Sequence, residues 1–469
     1  MMRLALSLLW LVAMSVHADG LPAPVSTALK AAGVPADAVA VFVQRADQNK
    51  PLLVQHADQP MNPASTMKLL TTYAGLEILG PAYTWRTEFH SSVPVQGDVL
   101  NGDLILKGYG DPALTLENFW NLVRALRQKG VREIRGDLIL DRGYFEEVKG
   151  DPAVFDGEPY RAYNAGPDAL LVNFKSTRFR FSGDAQSGKV AIAVDPDLPQ
   201  LKVINNIELG HVPCADWKAR VSYKVQRQSD TVTVTFGGNY SLACGEKILD
   251  LSVLDESIYI FQLFKQLWQE QGGVFLGNFR EGSGPQGTNL LVAATSPPLA
   301  DVIRLINKYS NNVMARQLLV SIGADQYGAP GSAESGARAV QGWLTGKGMN
   351  FPELVIENGA GLSRKERISA RHLGELLLAA YASPVMPELI SSLPIVGVDG
   401  TMQRRMKDGG VVGRGHFKTG SLDGVRAVAG YLLDAKGRRW VVVFMANHPA
   451  AGGTKAAQDA LLEFIYARD

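Results

Sequence analysis

The texture of the sequence changes near Glu88 and again near Ala294, and this constrains the fold more than any other feature. Between those points lie "TRFRFSG", "KVAIAVD", "RVSYKVQ" and "TVTVTFGG", which alternate polar and apolar residues between turn formers. Successive side chains on a strand point to opposite faces, so a period of two predicts a β-rich unit. Before this block come a helix over 26–32 and "AVAVFVQRADQNKPLLVQH", two strands around a turn at Asp47-Gln48-Asn49. A helix then starts near Ser65 and stops at Gly80-Pro81. After the block, Val302, Ile303, Ile306, Val313, Met314, Leu318 and Leu319 recur at helical spacing. Further helices are expected over 336–346 and 369–381, then a hairpin turning at Asp434 to Gly437, then an amphipathic helix over 455–467. Strands and a helix at the start therefore belong with strands and a helix at the end, the two ends of the chain meeting in one sheet.

The expected fold class is α/β and multidomain, with a large β-rich insertion in one α/β domain. The 469 residues allow roughly three domains at ~150 residues each. Residues 19–87 and 295–469 would form the first domain, and 88–294 the inserted region. The insertion divides into about 88–168 plus 270–294, and a β-rich part over 169–269. "GDLILKGYGDPAL" from Gly102 and "GDLILDRGYF" from Gly136 share their first five residues, with a helix over 117–129 between them. Each copy reads as a turn feeding a buried strand; two copies are too few for a solenoid.

Export is written at the N-terminus. Arg3 supplies a positive charge, Leu4 to Val16 is an apolar run too short to span a bilayer comfortably, and Val16-His17-Ala18 resembles a cleavage site. A signal peptide over 1–18 and a periplasmic mature protein follow. That oxidising compartment permits a Cys214–Cys244 disulfide, with two free buried thiols as the alternative. The net charge of +1 gives no reason to expect a nucleic-acid partner.

Three short patterns carry chemistry, and each occurs once. In "NPASTMKLLT", Ser65 and Lys68 are one turn apart on one helix face, after the turn signal Asn62-Pro63. In "YSNNVMA", Ser310-Asn311-Asn312 interrupts a helical pattern with residues that suit a helix interior poorly. In "RGHFKTGSLDG", Lys418 and Thr419 offer a cation and a hydroxyl for a carboxylate, and Gly420 admits a close approach before the next strand. Taken singly, a capped helix, a turn and a basic hairpin edge would explain them. Together, in the order S-x-x-K, S-x-N, K-T-G, they are the set of serine acyl-transfer enzymes of the β-lactamase and penicillin-binding type. Competing motifs fail: "GSGPQG" lacks a strand-turn-helix setting, there is no G-x-S-x-G, and the histidines have no metal-ligand spacing. No metal and no cofactor are expected, and His416 reads as a surface residue.

With "PASTMKLLTTYAGLEILG", "GDLILKGYGDPAL", "NGAGLSR" and "LPIVGVDGTMQRR", the chain resembles the D-alanyl-D-alanine carboxypeptidase/endopeptidase family, the class C low-molecular-mass penicillin-binding proteins of penicillin-binding protein 4 type. The resemblance covers nearly the whole mature chain. It implies a transpeptidase-like domain, an antiparallel sheet with helices on both faces, carrying extra domains between the first and second motifs. It also implies Ser65 as nucleophile, Lys68 as base, Ser310 as proton relay, Asn312 as substrate-amide and Lys68 contact, and Lys418 with Thr419 as carboxylate site. The N–H groups of Ser65 and Ser421 would form the oxyanion hole beside Gly420. Arg364 is a candidate for the peptide stem, with a surface arginine as the alternative. One departure is Ser-Asn-Asn where many relatives have Ser-Asp-Asn. Peptidoglycan peptides are the implied partners and β-lactams the implied covalent inhibitors. A β-lactamase and a non-catalytic peptidoglycan-binding protein are the rival readings. The sequence leaves open the balance of carboxypeptidase and endopeptidase action, the role of the insertion, peripheral membrane contact and a homodimer.

Overall fold

The hairpin near the C-terminus forms the middle of a five-stranded antiparallel sheet. Its order is Gly415–Leu422, Val425–Leu433, Arg439–Asn447, Val39–Arg45, Pro51–Gln55, so the two ends of the chain do share one sheet. The computed structural model describes residues 20–468 apart from Lys149, Val212, Ala215, Asp230 and Gln286. The signal peptide expected over 1–18 lies outside the described residues.

Period-two alternation sorts this sheet into two cores. Ala40, Phe42, Ala427, Ala429, Tyr431, Val441 and Val443 face the helices Lys68–Ile78, Leu299–Tyr309, Asn312–Tyr327 and Ala370–Tyr381. Val39, Val41, Val43, Val428, Leu432, Val442 and Phe444 face the helices Ala23–Ala31 and Lys455–Tyr466. Because both faces are covered, the central strands are almost wholly apolar rather than alternating in polarity. The terminal helix buries Leu461, Leu462 and Ile465 against the sheet. Among the described residues, no helix is long and apolar enough to cross a membrane.

Strands between residues 86 and 295 build three further sheets. The two G-D-L-I-L copies lie side by side in parallel and in matched register: Leu104 opposite Leu138, Ile105 opposite Ile139, Leu106 opposite Leu140. A third strand, Phe279–Glu281, continues the stack in the same register, and "VFLGNFRE" from Val274 is its degenerate copy. The residues ahead of each turn repeat the arrangement, with Val99, Glu133 and Val274 aligned across a small parallel sheet. The glycines are required at the stacked turns. A Cβ on Gly136 would lie 2.4 Å from the Gly102 carbonyl carbon, and one on Gly277 would lie 2.0 Å from the Gly136 oxygen. Two copies were expected and three rungs are present.

The four alternating stretches form a six-stranded sheet, with Leu201–Gly210 added between Thr231–Ser241 and Lys189–Asp195, and Lys247–Leu251 added at the edge beside Thr177–Asp184. Cys214 and Cys244 form a disulfide beside it. Segment 144–172 joins this region to the helix Asn312–Tyr327. Gln317 is fully buried there; its side chain donates to the Asp168 carbonyl at 2.8 Å and accepts from the Asp168 N–H at 2.8 Å.

Candidate active site

Ser65 sits in a tight 3₁₀ turn, Ala64–Met67, which leads into the helix beginning at Lys68. Residues three apart eclipse in such a turn, so Ser65 and Lys68 face the same way. Ala64 has a φ of 46°, a left-handed conformation that costs a residue with a Cβ on the order of 1–3 kcal/mol. Asn62 holds it there: its Oδ1 accepts from the Ala64 N–H at 2.9 Å, while its Nδ2 donates to the Ser363 carbonyl at 2.8 Å. The turn is also clasped between two glycines. A Cβ on Gly361 would lie 1.9 Å from the Ala64 oxygen, and one on Gly420 would lie 2.7 Å from the Pro63 oxygen.

Lys68 is fully buried. Its Nζ lies 3.0 Å from Ser65 Oγ and 2.7 Å from Asn312 Oδ1, and it also contacts the Ala360 carbonyl oxygen. Burial pushes the Lys68 amine well below its ordinary range, and the nearby Lys418 and Arg316 cations push the same way against the Glu366 carboxylate. A neutral amine has two N–H groups and one lone pair. Asn312 Oδ1 and the Ala360 carbonyl can only accept, so they take both N–H groups. The lone pair is then left for the Ser65 hydroxyl, which is the arrangement a general base requires.

The helix Leu299–Tyr309 ends at Ser310, whose φ of 57° turns the chain. Asn311 caps the next helix, its Oδ1 accepting from the Met314 N–H at 3.0 Å, and Asn312 is that helix's first residue. The two asparagines are therefore boundary residues, where their side chains stabilise rather than disrupt. Lys418, also fully buried, donates to Ser310 Oγ at 2.8 Å and to the Thr419 carbonyl at 2.9 Å; burial pushes its amine down to about 7. Among the described residues, these bonds tie Ser65 to Lys68 and Asn312, and Ser310 to Lys418, without a direct Ser65–Ser310 bond.

The Lys-Thr-Gly motif was expected to precede a strand; instead it lies inside the edge strand Gly415–Leu422. The apolar hairpin pairs far enough to recruit it, with Lys418 opposite Ala429 and Gly420 opposite Ala427. The outer rim of this strand is covered at its start, where Phe417 N–H donates to the Pro394 carbonyl at 2.8 Å and Val396 N–H to the Gly415 carbonyl at 2.9 Å. By alternation, the N–H groups of Thr419 and Ser421 point to the same rim beyond that cover. Thr419 Oγ1 donates to Thr401 Oγ1 at 2.8 Å. Arg364 is exposed, donates to the Asp423 carbonyl at 2.8 Å and lies over the Phe155 ring at 5.1 Å. His416 is half-buried rather than on the surface, because Ile395 bridges to it across the rim. A cleft of about 900 Å³ runs beside the site, bounded by Ser310, Asn311 and Asn312 on one side and Arg161, Tyr163, Lys218 and Asp250 of the inserted region on the other.

Several site residues escaped sequence reasoning: Ala360, Thr401, Arg316 and Glu366. Ala360 contributes only a carbonyl, which every residue type has. The remaining signal was the glycine pair bracketing it in "NGAGLSR".

Residues 21–466 match the model of the D-Ala-D-Ala carboxypeptidase 3 (S13) family. A D-alanyl-D-alanine carboxypeptidase of Actinomadura sp. is 30% identical over 416 residues, covering 85% of this chain and 76% of the relative. The crystal structure of penicillin binding protein 4 from Haemophilus influenzae superposes with a TM-score of 0.80 at 23% identity, over 95% of this chain and 99% of that one. Its form complexed with a β-lactam superposes with a TM-score of 0.76 at 24% identity, over the same 95% and 99%. A predatory peptidoglycan endopeptidase from Bdellovibrio bacteriovorus gives a TM-score of 0.50 at 14% identity, over 91% of this chain and 92% of that one. With the family model matched over nearly its whole described length and a relative 30% identical over most of both chains, this chain belongs to the D-Ala-D-Ala carboxypeptidase 3 (S13) family.

Proposed function

We propose that the protein is a serine D-Ala-D-Ala carboxypeptidase acting on peptidoglycan stem peptides, with Ser65 as nucleophile and Lys68 as base. Ser65 Oγ attacks the carbonyl carbon of the terminal peptide bond as its proton passes to Lys68 Nζ. The C–N bond breaks, a proton relayed through Ser310 reaches the departing D-alanine amine, and water hydrolyses the acyl-enzyme. Lys418 and Thr419 bind the terminal carboxylate, Asn312 and Arg364 hold the peptide, and the N–H groups of Ser65 and Ser421 stabilise the oxyanion beside Gly420. The observation that carries this reading is the buried Lys68 amine, 3.0 Å from Ser65 Oγ, with both N–H groups already committed. β-Lactams acylate the same serine, in keeping with the β-lactam complex of the Haemophilus relative.

Cleavage of cross-linked peptides is a second activity of the same site. The open cleft beside Ser310 supports it, because a cross-link leaves a whole peptide rather than one amino acid. Export to the periplasm through the N-terminal signal fits both activities. So does a division into a catalytic unit, 19–87 with 295–469, and an inserted region, 88–294.

Incubation with a fluorescent penicillin tests the nucleophile: wild type becomes covalently labelled and Ser65→Ala does not. Persistent labelling of the alanine variant would reassign the nucleophile. A digest of pentapeptide and cross-linked muropeptides, read by mass, separates loss of D-alanine from cross-link cleavage.

A further inference from the structure

Glu366 is fully buried, and its Oε1 accepts three consecutive backbone N–H groups, those of Glu357 at 3.1 Å, Asn358 at 2.9 Å and Gly359 at 2.9 Å. Its Oε2 is shielded from solvent and, among the described residues, has no hydrogen-bond partner. The loop it organises is tied to the base at several points. Thr71, one turn beyond Lys68, donates to the Gly359 carbonyl at 2.7 Å. Asn358 Oδ1 accepts from the Ala360 N–H at 2.9 Å, and its Nδ2 donates to the Leu362 carbonyl at 2.9 Å. These bonds aim the Ala360 carbonyl at Lys68 Nζ. Ser363 closes the loop, accepting from the Glu366 N–H at 3.0 Å and donating to Glu357 Oε2 at 2.6 Å.

We propose that Glu366 is a positioning residue for the acylation base: it fixes the loop that presents the Ala360 carbonyl to Lys68, and it is the counter-charge to the cations around that amine. This rests on Lys68 being the base. Three elements bring charge to Lys68: the edge strand brings Lys418, the helix Asn312–Tyr327 brings Arg316, and the loop brings Glu366, with Glu357 acting on Arg316 from the same loop. A side chain needed only for shape could be an amide, since a glutamine oxygen also accepts the three N–H groups. Burial raises the Glu366 carboxyl, while the three N–H groups and the neighbouring Lys68 amine pull it down.

The test is the pH dependence of acylation by fluorescent penicillin, from about pH 5 to 10. Glu366→Gln keeps the acceptor and removes the charge, leaving Lys68 between two cations. Its proton is then lost more easily, so the rising limb of the profile moves toward acid by roughly one pH unit. Arg316→Met removes a cation instead and moves the limb toward alkali. Glu366→Asp keeps the charge and holds the limb closer to the wild-type position than Gln does. A Glu366→Gln limb that coincides with wild type would overturn the proposal. Should that variant fail to fold, an unmoved limb in Arg316→Met would overturn it equally. Wild type that takes no label at any pH would instead refute the nucleophile and base assignment on which this proposal rests.

Discussion

Lys418 shows at the scale of one residue what this site costs the fold. Its amine is fully buried, and burial lowers it from 10.5 to about 7. The unfolded chain therefore binds more protons than the folded one between those values. Stability is full above pH 10.5 and falls as pH drops toward 7. Lys418→Met, similar in shape but uncharged, is expected to stabilise the protein at pH 7 by on the order of 3 kcal/mol. That figure allows for the lost bonds to Ser310 and Thr419. The gain shrinks as pH rises and is gone above 10.5; urea midpoints at pH 7 and 10 check it, and a variant less stable than wild type at pH 7 refutes it. The same substitution removes the cation that lowers Lys68, so the rising limb of penicillin acylation moves toward alkali while its amplitude drops.

Among the elements, the junction between the helices Leu299–Tyr309 and Asn312–Tyr327 places two side chains of opposite duty. Asn311 faces its own helix as a cap, and Asn312 faces Lys68. Asparagine and aspartate cap almost equally well, so the cap tolerates either residue at this position. Asn311→Asp is expected to leave penicillin acylation within about two-fold, whereas Asn311→Ala costs about 1 kcal/mol in thermal unfolding. A large acylation defect in the aspartate variant would mean that Asn311 touches the substrate. The motifs at this scale were legible because each is a short run of distinctive side chains: Ser65 with Lys68, Ser310 with Asn312, Lys418 with Thr419. The loop over 357–366 was not, because it acts through carbonyls and N–H groups, and its one telling side chain, Glu366, looks like any other glutamate in a polar stretch.

Over the whole molecule, the meeting of the chain ends in one sheet was readable from two apolar hairpins near the termini. Leu201–Gly210 was not, because Asn205 and Asn206 blur its alternation; it is recruited by ten paired residues of Thr231–Ser241. How the inserted region meets the catalytic helix was likewise hidden, since Gln317 and Asp168 are far apart in sequence. That clamp grips the helix that begins with Asn312. Gln317→Leu is expected to cost about 2 kcal/mol, from a backbone N–H and a carbonyl left unpaired. It should also slow acylation, by loosening Asn312. Replacing both cysteines with serine, in the same penicillin assay, should leave the rate unchanged; equal loss in both variants would show a general effect of destabilisation rather than transmission through the helix.

The three stacked G-x-x rungs carry a consequence for how a sheet of this kind changes width. Each rung presents the next with the same hydrogen-bonding edge in the same register. A rung can therefore be added or removed as a unit, shifting whatever lies beyond it by one strand spacing, about 4.8 Å. An odd number of residues inserted within a strand would instead throw every later side chain of that strand onto the wrong face. The width of this sheet is thus quantised, and homologous chains that differ in it should differ by whole rungs.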